Sequence, residues 1–187
     1  MEKEFQKIWR EAAVYLRQAQ KKDFVLHTRW VVKSMEMLLE REGGDRRVLI
    51  MAAMLHDTGW SGVPLELQTA IEGEMARRAL VLHLKNAVPI ARRILRGQGF
   101  AKKEIERIVG IILSHKFKNP RDPEKRLLID ADTLSDIFKE PFYADAKYYQ
   151  KAPKALLEFR KQNRFYTKTA KEIFEREIKR RERELNG

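Results

Sequence analysis

The sequence predicts an all-α protein with about seven or eight helices in a single domain. Apolar residues recur at the i, i+3, i+4 spacing of one helix face along almost the whole chain, as in Phe5, Ile8 and Trp9. No stretch shows the alternation of apolar and polar residues that is typical of a half-buried strand. Glycine and proline residues fall between the periodic stretches, where helices have to stop. At 187 residues the chain is long enough for one substantial core and short for two.

The first two helices have clear limits. The apolar stripe that includes Phe5 predicts a helix over residues 2–19. Asp23 is placed to cap a second helix, which runs to about residue 41 and stops at a Gly-Gly pair.

The third helix is the most apolar part of the chain. Asp45 is placed to cap it, and it covers residues 46–57 with apolar residues on almost every side, which predicts burial. Residues 59–64 contain two glycines and a proline and are predicted to form a loop.

The later helices are marked by caps and prolines. Thr69 and Glu72 have the spacing of a capping box, Pro89 is placed to begin a new helix after Asn86, and Pro141 is placed to end one. The remaining stretches with helical periodicity are 69–83, 86–97, 101–116, 124–138, 143–162 and 164–185.

Composition narrows the functional class. Apolar residues make up 43% and charged residues 35% of the chain, as in an ordinary globular protein. No apolar run approaches the ~20 residues of a membrane span, and the N-terminus lacks the apolar stretch of a secretory signal, so we expect a cytoplasmic protein without membrane association. The absence of cysteine excludes disulfides and thiolate ligands. Any metal must therefore be held by nitrogen and oxygen atoms.

The chain is strongly basic, with a net charge of +12. Residues 147–171 contribute eight basic side chains against one acid, Glu158. Such a surface attracts nucleotides, other phosphates or nucleic acid, although a solvated helix face is an equally good interpretation. Nucleic acid is thus a possible partner that the sequence does not favour. The sequence also leaves open whether the protein forms homo-oligomers.

A His-Asp pair closes the most apolar helix. Burying the Asp57 carboxylate there costs several kcal/mol unless a cation or a set of donors compensates it, and a divalent metal does so efficiently. Adjacent helical residues point ~100° apart. His56 and Asp57 can therefore face one ion only if the helix ends at the pair, and Gly59 favours such an ending.

Further candidate ligands lie elsewhere in the chain. The four histidines are on or at the ends of different predicted helices: His27, His56, His83 and His115. A second apolar run, 127–136, carries Asp130 and Asp132.

Together these residues resemble the signature of the HD superfamily of metal-dependent phosphohydrolases. That signature is a histidine on one helix, a His-Asp pair at the end of another, and a later aspartate in a context such as Asp-Ala-Asp-x-Leu. The resemblance covers about residues 23–138, the motif core, and leaves 139–187 as a basic C-terminal helical extension. Asp132 fits the aspartate position better than its rival Asp130, because it directly precedes the Thr-Leu pair.

The resemblance implies one or two divalent ions and a catalytic role for His56 and Asp57. The implied ligands of the first ion are His27, His56, Asp57 and Asp132. Those of the second ion are Asp57, His83 and His115. Alternatively, the last two histidines bind substrate phosphate beside a single metal. Imidazole and carboxylate ligands suit Mn, Fe, Co, Ni or Zn ions better than Ca²⁺.

The implied activity is hydrolysis of a phosphate ester by metal-activated water, with a small phosphorylated molecule, and first of all a nucleotide, as substrate. Such an ion lowers the pKa of bound water to roughly 7. Arg29, Lys85 and Lys116 lie close in sequence to the implied ligands and are candidates for binding substrate phosphate, although each also fits an ordinary surface cation.

Two other functions stay open. The same ligand set fits the di-iron oxygenases of the HD superfamily. The protein could also be a non-catalytic regulator that binds nucleotide or nucleic acid, because the basic stretch also contains aromatic side chains on which bases can stack. We nevertheless expect Phe159, Phe165 and Tyr166 to be core residues, because they fall at the spacing of core positions on the C-terminal helices. Residues 60–74 form a further hypothesis, a loop that folds over the substrate with Trp60 against it.

Overall fold

The computed structural model of the protein describes residues 3–20, 23–70, 72–116 and 119–186. These residues form ten α-helices and one 3₁₀ helix and contain no β-strand, which confirms the all-α prediction with slightly more helices than expected. The α-helices are α1 (Lys3–Leu16), α2 (Phe24–Glu42), α3 (Arg46–Leu55), α4 (Leu65–Gln68), α5 (Gly73–Gly97), α6 (Lys102–Ile112), α7 (Pro123–Ser135), α8 (Lys139–Tyr148), α9 (Pro153–Arg160) and α10 (Lys168–Asn186). The 3₁₀ helix Thr58–Gly62 joins α3 to α4.

Helix α3 lies at the centre of the core. Every residue from Val48 to Leu55 is at most 1% exposed, as its apolar composition predicts. It packs against α1, α2, α6 and α7, and α2 and α7 also pack against each other. Any side chain at the C-terminal end of α3 is therefore held inside the protein.

The caps of α2 and α3 are those that the sequence predicts. The Asp23 carboxylate accepts a hydrogen bond from the Leu26 N–H at 2.9 Å, and that of Asp45 accepts one from the Val48 N–H at 3.2 Å. Helix α3 ends at Leu55, so the predicted ending at the His-Asp pair is confirmed. The first predicted helix began at residue 2, which lies outside the described residues.

Two predictions around α5 were wrong. Pro89 begins no helix but lies inside the continuous α5. It removes one backbone hydrogen bond, but Pro89 and Lys85, whose carbonyl loses its partner, are both exposed, so water can replace the bond. Thr69 forms no capping box, because its hydroxyl donates to the carbonyl of Glu66 at 3.2 Å and closes α4.

Proline also misled the prediction in the C-terminal extension. Pro141 ends no helix but lies in the first turn of α8, where the missing N–H has no helical partner to lose. The stretch 143–162, predicted as one helix, is divided between α8 and α9, with Pro153 as the first residue of α9.

The C-terminal helices pack onto the motif core. Helix α10 contacts α2, α7 and α9, and α8 contacts α2 and α9. Phe159 is 52% exposed and Tyr166 is 39% exposed, so the expectation that these two belong to the core was wrong. Phe165 is half-buried and packs against the core, as expected. None of the described helices combines the length and the apolar character that a membrane crossing requires.

The 3₁₀ helix lies unusually close to α5. A Cβ atom added at Gly59 would stand 1.9 Å from the His83 carbonyl oxygen and 2.5 Å from the Ala87 nitrogen. Because backbone atoms cannot move aside as a flexible side chain can, only glycine fits at this position.

We therefore expect Gly59→Ala to lower the free energy of unfolding by about 3 kcal/mol or more, as overpacking does when backbone must shift. Gly110→Ala is the matched control: its added Cβ meets nothing within 4 Å inside α6, and we expect it to stabilise the protein by up to about 1 kcal/mol. Urea unfolding followed by circular dichroism compares the two. Equal stability of the variants would contradict the close approach.

Candidate metal centre

The residues that the sequence singled out as metal ligands meet at one buried place. They come from α2, the end of α3, the middle of α5, the end of α6, and α7. Two groups of potential ligand atoms each lie within 4.8 Å of one another: His27, His56, Asp57 and Asp132 in the first, and Asp57, His83 and His115 in the second.

The first group surrounds one oxygen of Asp57. His27 Nε2 lies 3.0 Å from Asp132 Oδ1 and 3.3 Å from Asp57 Oδ2. His56 Nε2 lies 3.2 Å from the same Asp57 Oδ2 and 3.6 Å from Asp132 Oδ1. Two imidazoles and two carboxylates thus face one point.

The second group surrounds the other oxygen of Asp57. Asp57 Oδ1 lies 3.1 Å from His83 Nε2 and 3.8 Å from His115 Nε2. The carboxylate of Asp57 therefore stands between the two groups and offers one oxygen to each.

Hydrogen bonds on the far side of three rings define which nitrogen faces the centre. The Nδ1–H group of His56 donates to the Ala53 carbonyl at 2.8 Å, and that of His115 donates to the Ile112 carbonyl at 2.5 Å. The Nδ1–H group of His27 donates to Asp136 Oδ1 at 3.1 Å. In the neutral tautomers that these bonds favour, each Nε2 directs a lone pair at the centre.

This arrangement fits a bound cation. His56 Nε2, His115 Nε2 and Asp57 Oδ1 are buried and have no hydrogen-bond partner among the described residues. Lone pairs that face carboxylate oxygens in a buried site repel each other unless a positive charge stands between them. His83 differs from His56 and His115 in the nitrogen that lacks a hydrogen-bond partner. Its Nε2 lies 3.3 Å from the His56 carbonyl oxygen as well as close to Asp57, and its buried Nδ1 has no partner among the described residues.

The electrostatics keep both carboxylates ionised. Burial by itself would raise the pKa of Asp57 and of Asp132, but the neighbouring imidazoles and the Lys116 ammonium group hold both pKa values well below the usual range. Burial also opposes a charge on His56, yet Asp57 and Asp132 outweigh it and raise the pKa of His56.

The histidines of the second group remain neutral. Burial, reinforced by the charge of Lys116, lowers the pKa of His115 to about 3. Burial likewise lowers the pKa of His83, although the nearby Asp57 acts in the opposite direction. Neutral imidazole is the form that binds a metal ion.

Comparison with known proteins agrees with this geometry. A family model described as "HD domain" matches residues 24–137, which include all the residues of both groups. The chain belongs to the HD domain family. The matched HD domain extends from the start of α2 to just beyond α7, so α8, α9 and α10 lie outside it.

A solved structure is similar over almost the whole chain. It is described as the crystal structure of a predicted HD superfamily hydrolase from an uncultured Thermotogales bacterium. The TM-score is 0.65 with 21% sequence identity, and the alignment covers 97% of this chain and 88% of that chain. At this identity the likeness shows the fold, here including the helices beyond the HD domain. No curated protein sequence matches the chain.

A cleft of about 290 Å³ opens onto the centre of the HD domain. Three of the candidate ligands line it, His27, Asp57 and Asp132. The other lining residues are the apolar Phe24, Trp60 and Leu80 and six polar residues. The polar residues are Lys116, Thr133, Asp136, Tyr149, Arg160 and Asn163. The last three come from the C-terminal extension, which thus supplies part of the cleft.

The three cations proposed for substrate phosphate have different positions. Lys116 lines the cleft, and its Nζ atom lies 2.5 Å from Asp132 Oδ2. Arg29 is not brought to the site, since its guanidinium stacks over the Trp9 ring at 5.8 Å on the other side of α2. Lys85 is exposed on α5 and does not line the cleft.

Trp60 lines the cleft and is held there by its neighbours. It is 3% exposed, and its ring stacks on His83 at 4.8 Å and on Phe24 at 5.5 Å between centroids. The Gln68 amide donates to the carbonyl of Trp60 at 3.3 Å and to that of Val63 at 2.7 Å. That residues 60–74 fold over the substrate stays a prediction, and Trp60 does line the cleft. Residue 71 lies outside the described residues.

Two residues of the site were missed by the sequence analysis. Asp136 holds His27, and it follows Asp132 by four residues, the spacing of one helix face, so this signal was available. Arg160 lies against Asp136 but comes from the far end of the chain, where it was one cation among eight. Its sequence position contains no signal for the site.

Asp130 has a different partner from Asp132. Its two carboxylate oxygens accept hydrogen bonds from the N–H groups of Tyr166 at 2.9 Å and Thr167 at 2.8 Å, and from the Thr167 hydroxyl at 2.7 Å. It thereby fixes the start of α10 against α7.

We expect Asp130→Asn to lower the free energy of unfolding by about 1–3 kcal/mol, because the amide NH₂ would face the donors that the carboxylate now accepts. Its metal content should equal that of the parent protein. Asp132→Asn, two residues along the same helix, should lose metal instead. Urea unfolding and elemental analysis of both variants test this, and metal loss in Asp130→Asn would contradict the assignment.

Proposed function

We propose that this protein is a metal-dependent phosphohydrolase that cleaves a phosphate ester of a small molecule, with a nucleotide as the favoured substrate. The observation that carries the proposal is the pair of ligand groups that share Asp57 and open onto a cleft that Lys116 also lines. Membership of the HD domain family and the hydrolase description of the structural neighbour support it.

The proposed ligands hold one or two divalent ions, from the group Mn, Fe, Co, Ni and Zn. Such an ion, when bound, activates water for attack and neutralises charge that develops on a phosphoryl oxygen. Asp57 acts by offering one oxygen of its ionised carboxylate to each group. His56 acts through an Nε2 lone pair whose direction is fixed by the hydrogen bond from Nδ1–H to the Ala53 carbonyl.

The cleft fits a small substrate with an anionic and an apolar end. Its volume is close to the lower limit of ligand pockets, roughly 300–1,000 Å³, so it suits a nucleotide-sized molecule better than a polymer. Lys116 brings a positive charge to the cleft, where it pairs with Asp132, and Phe24 and Trp60 line the cleft with stacked aromatic rings. Such a division matches a phosphate attached to an apolar or aromatic group.

The ligand set also fits a di-iron oxygenase, and Lys116, a cation that lines the cleft next to Asp132, favours the phosphohydrolase over it. A non-catalytic nucleotide-binding role would keep the same cleft. The metal identity and the reaction separate these functions, and both are measurable.

We expect about one or two equivalents of divalent metal per chain in protein purified without chelator, and loss of that metal in Asp57→Asn, which removes the charge shared by both groups. Elemental analysis measures this, followed by a screen of phosphate monoesters with added Mn²⁺, Co²⁺ and Ni²⁺. Iron as the dominant metal, with oxygen consumption and no phosphate release, would point to the oxygenase. No metal in the parent even after reconstitution would overturn the proposal.

We expect Lys116→Gln to lower kcat/KM for a phosphate monoester by about 10- to 100-fold while the protein stays folded, because a charge-assisted hydrogen bond is worth about 1.5–3 kcal/mol. Lys85→Gln is the matched control, since Lys85 also follows a proposed ligand in sequence but is exposed outside the cleft. Steady-state kinetics of both variants measure the two values of kcat/KM. An equal effect of the two substitutions would contradict a role for Lys116 in the cleft.

A further inference from the structure

Arg160 is a buried cation that lies outside the matched HD domain and yet lines the cleft. It is the last residue of α9, and the HD domain match ends at residue 137. Its side chain is only 12% exposed, although it belongs to the most basic stretch of the chain. A guanidinium is buried at this level only when carboxylates compensate its charge.

The compensating carboxylates connect Arg160 to the proposed metal ligands. Arg160 Nη1 lies 3.0 Å from Asp136 Oδ2, and Nη2 lies 2.6 Å from Asp145 Oδ2. The other oxygen of Asp136 accepts the hydrogen bond from His27 Nδ1 at 3.1 Å. A continuous polar chain therefore leads from α9 through α7 to His27 on α2.

Each contact in this chain constrains the next. The Asp136 carboxylate fixes the orientation and the tautomer of the His27 ring, so that Nε2 faces Asp57 and Asp132. A carboxylate that could rotate freely would fix the ring less well. Arg160 takes the second oxygen of Asp136, and Asp145, itself 6% exposed, holds the guanidinium from α8.

We propose that Arg160 is a positioning residue of the metal centre, which acts through Asp136 on His27, so that the C-terminal extension completes the site of the HD domain. The inference rests on the proposed function insofar as His27 must bind metal. Arg160 is not a catalytic residue in this role, because its contacts go to Asp136 and Asp145 and not to the ligand groups.

The alternative is that Arg160 only fastens α9 to α7 and α8. A fastening role affects the metal-free and metal-loaded protein equally. A positioning role changes the affinity for metal and the environment of the bound ion, so these two readouts separate the alternatives without any assay of activity.

The test uses full-length Arg160→Gln, Asp136→Asn and the double variant, each stripped of metal. Titration calorimetry with Mn²⁺ should give an affinity roughly 10- to 100-fold weaker than that of the parent, as is typical when a partner of a ligating histidine is lost. Both residues act on His27 through the same series of hydrogen bonds. The Mn²⁺ affinity of the double variant should therefore be no lower than that of the weaker-binding single variant. The visible spectrum of the Co²⁺ form should change in the same variants.

Lys154→Gln is the matched control, because it removes one positive charge from an exposed position of the same helix. Its Mn²⁺ affinity and Co²⁺ spectrum should equal those of the parent. Thermal unfolding of every metal-free variant shows whether it is folded. If Arg160→Gln does not fold, Asp136→Asn still tests the connection between the C-terminal extension and His27.

The outcomes distinguish this inference from the proposed function. Tight Mn²⁺ binding by the parent and equally tight binding by Arg160→Gln and Asp136→Asn, even with lowered melting temperatures, would overturn the positioning role and leave the proposed function intact. No Mn²⁺ or Co²⁺ binding by the parent would overturn the metal centre and the positioning role together. Weaker binding in both variants with an unchanged control supports both.

Discussion

The buried carboxylate of Asp57 is the constraint on which the rest of the site depends. It lies at the end of the most buried helix, with one oxygen facing His27 and His56 and the other facing His83. A bare carboxylate in such a core costs several kcal/mol. Neutral imidazoles cannot compensate it fully, because His27 and His56 direct their N–H groups away, to Asp136 and a carbonyl. A cation bound between the two ligand groups would supply the missing positive charge.

This requirement also explains the tight backbone packing behind the centre. His83 reaches Asp57 only because the 3₁₀ helix lies against α5, and Gly59 permits this approach at backbone distance. The same contact places Trp60 flat on the His83 ring, where it forms a side of the cleft. Close packing thus serves the site as well as stability.

The parts of the fold that the sequence predicts correctly are those that depend on local interactions. Asp23 and Asp45 cap the helices that follow them, because a cap needs only the next three residues. Proline misled the prediction for the opposite reason. Its local cost at Pro89 is offset by packing along a helix of 25 residues, which no local rule includes. At Pro141 the cost is absent, because a first-turn N–H has no helical partner.

The same contrast between local and tertiary interactions applies to the residues of the site. The residues of the two ligand groups could be named from the sequence, because a His-Asp pair after a fully apolar helix is unusual and the resemblance placed the others. Arg29 and Lys85 were selected by closeness in sequence, yet each lies two positions after a histidine, about 200° around the helix, and so faces away. Arg160 shows the converse. Nothing separates it in sequence from exposed Lys154, and only the tertiary structure encloses it between two carboxylates. The basic stretch is therefore not one charged face: part of its charge lies inside the protein, where it can act on the centre.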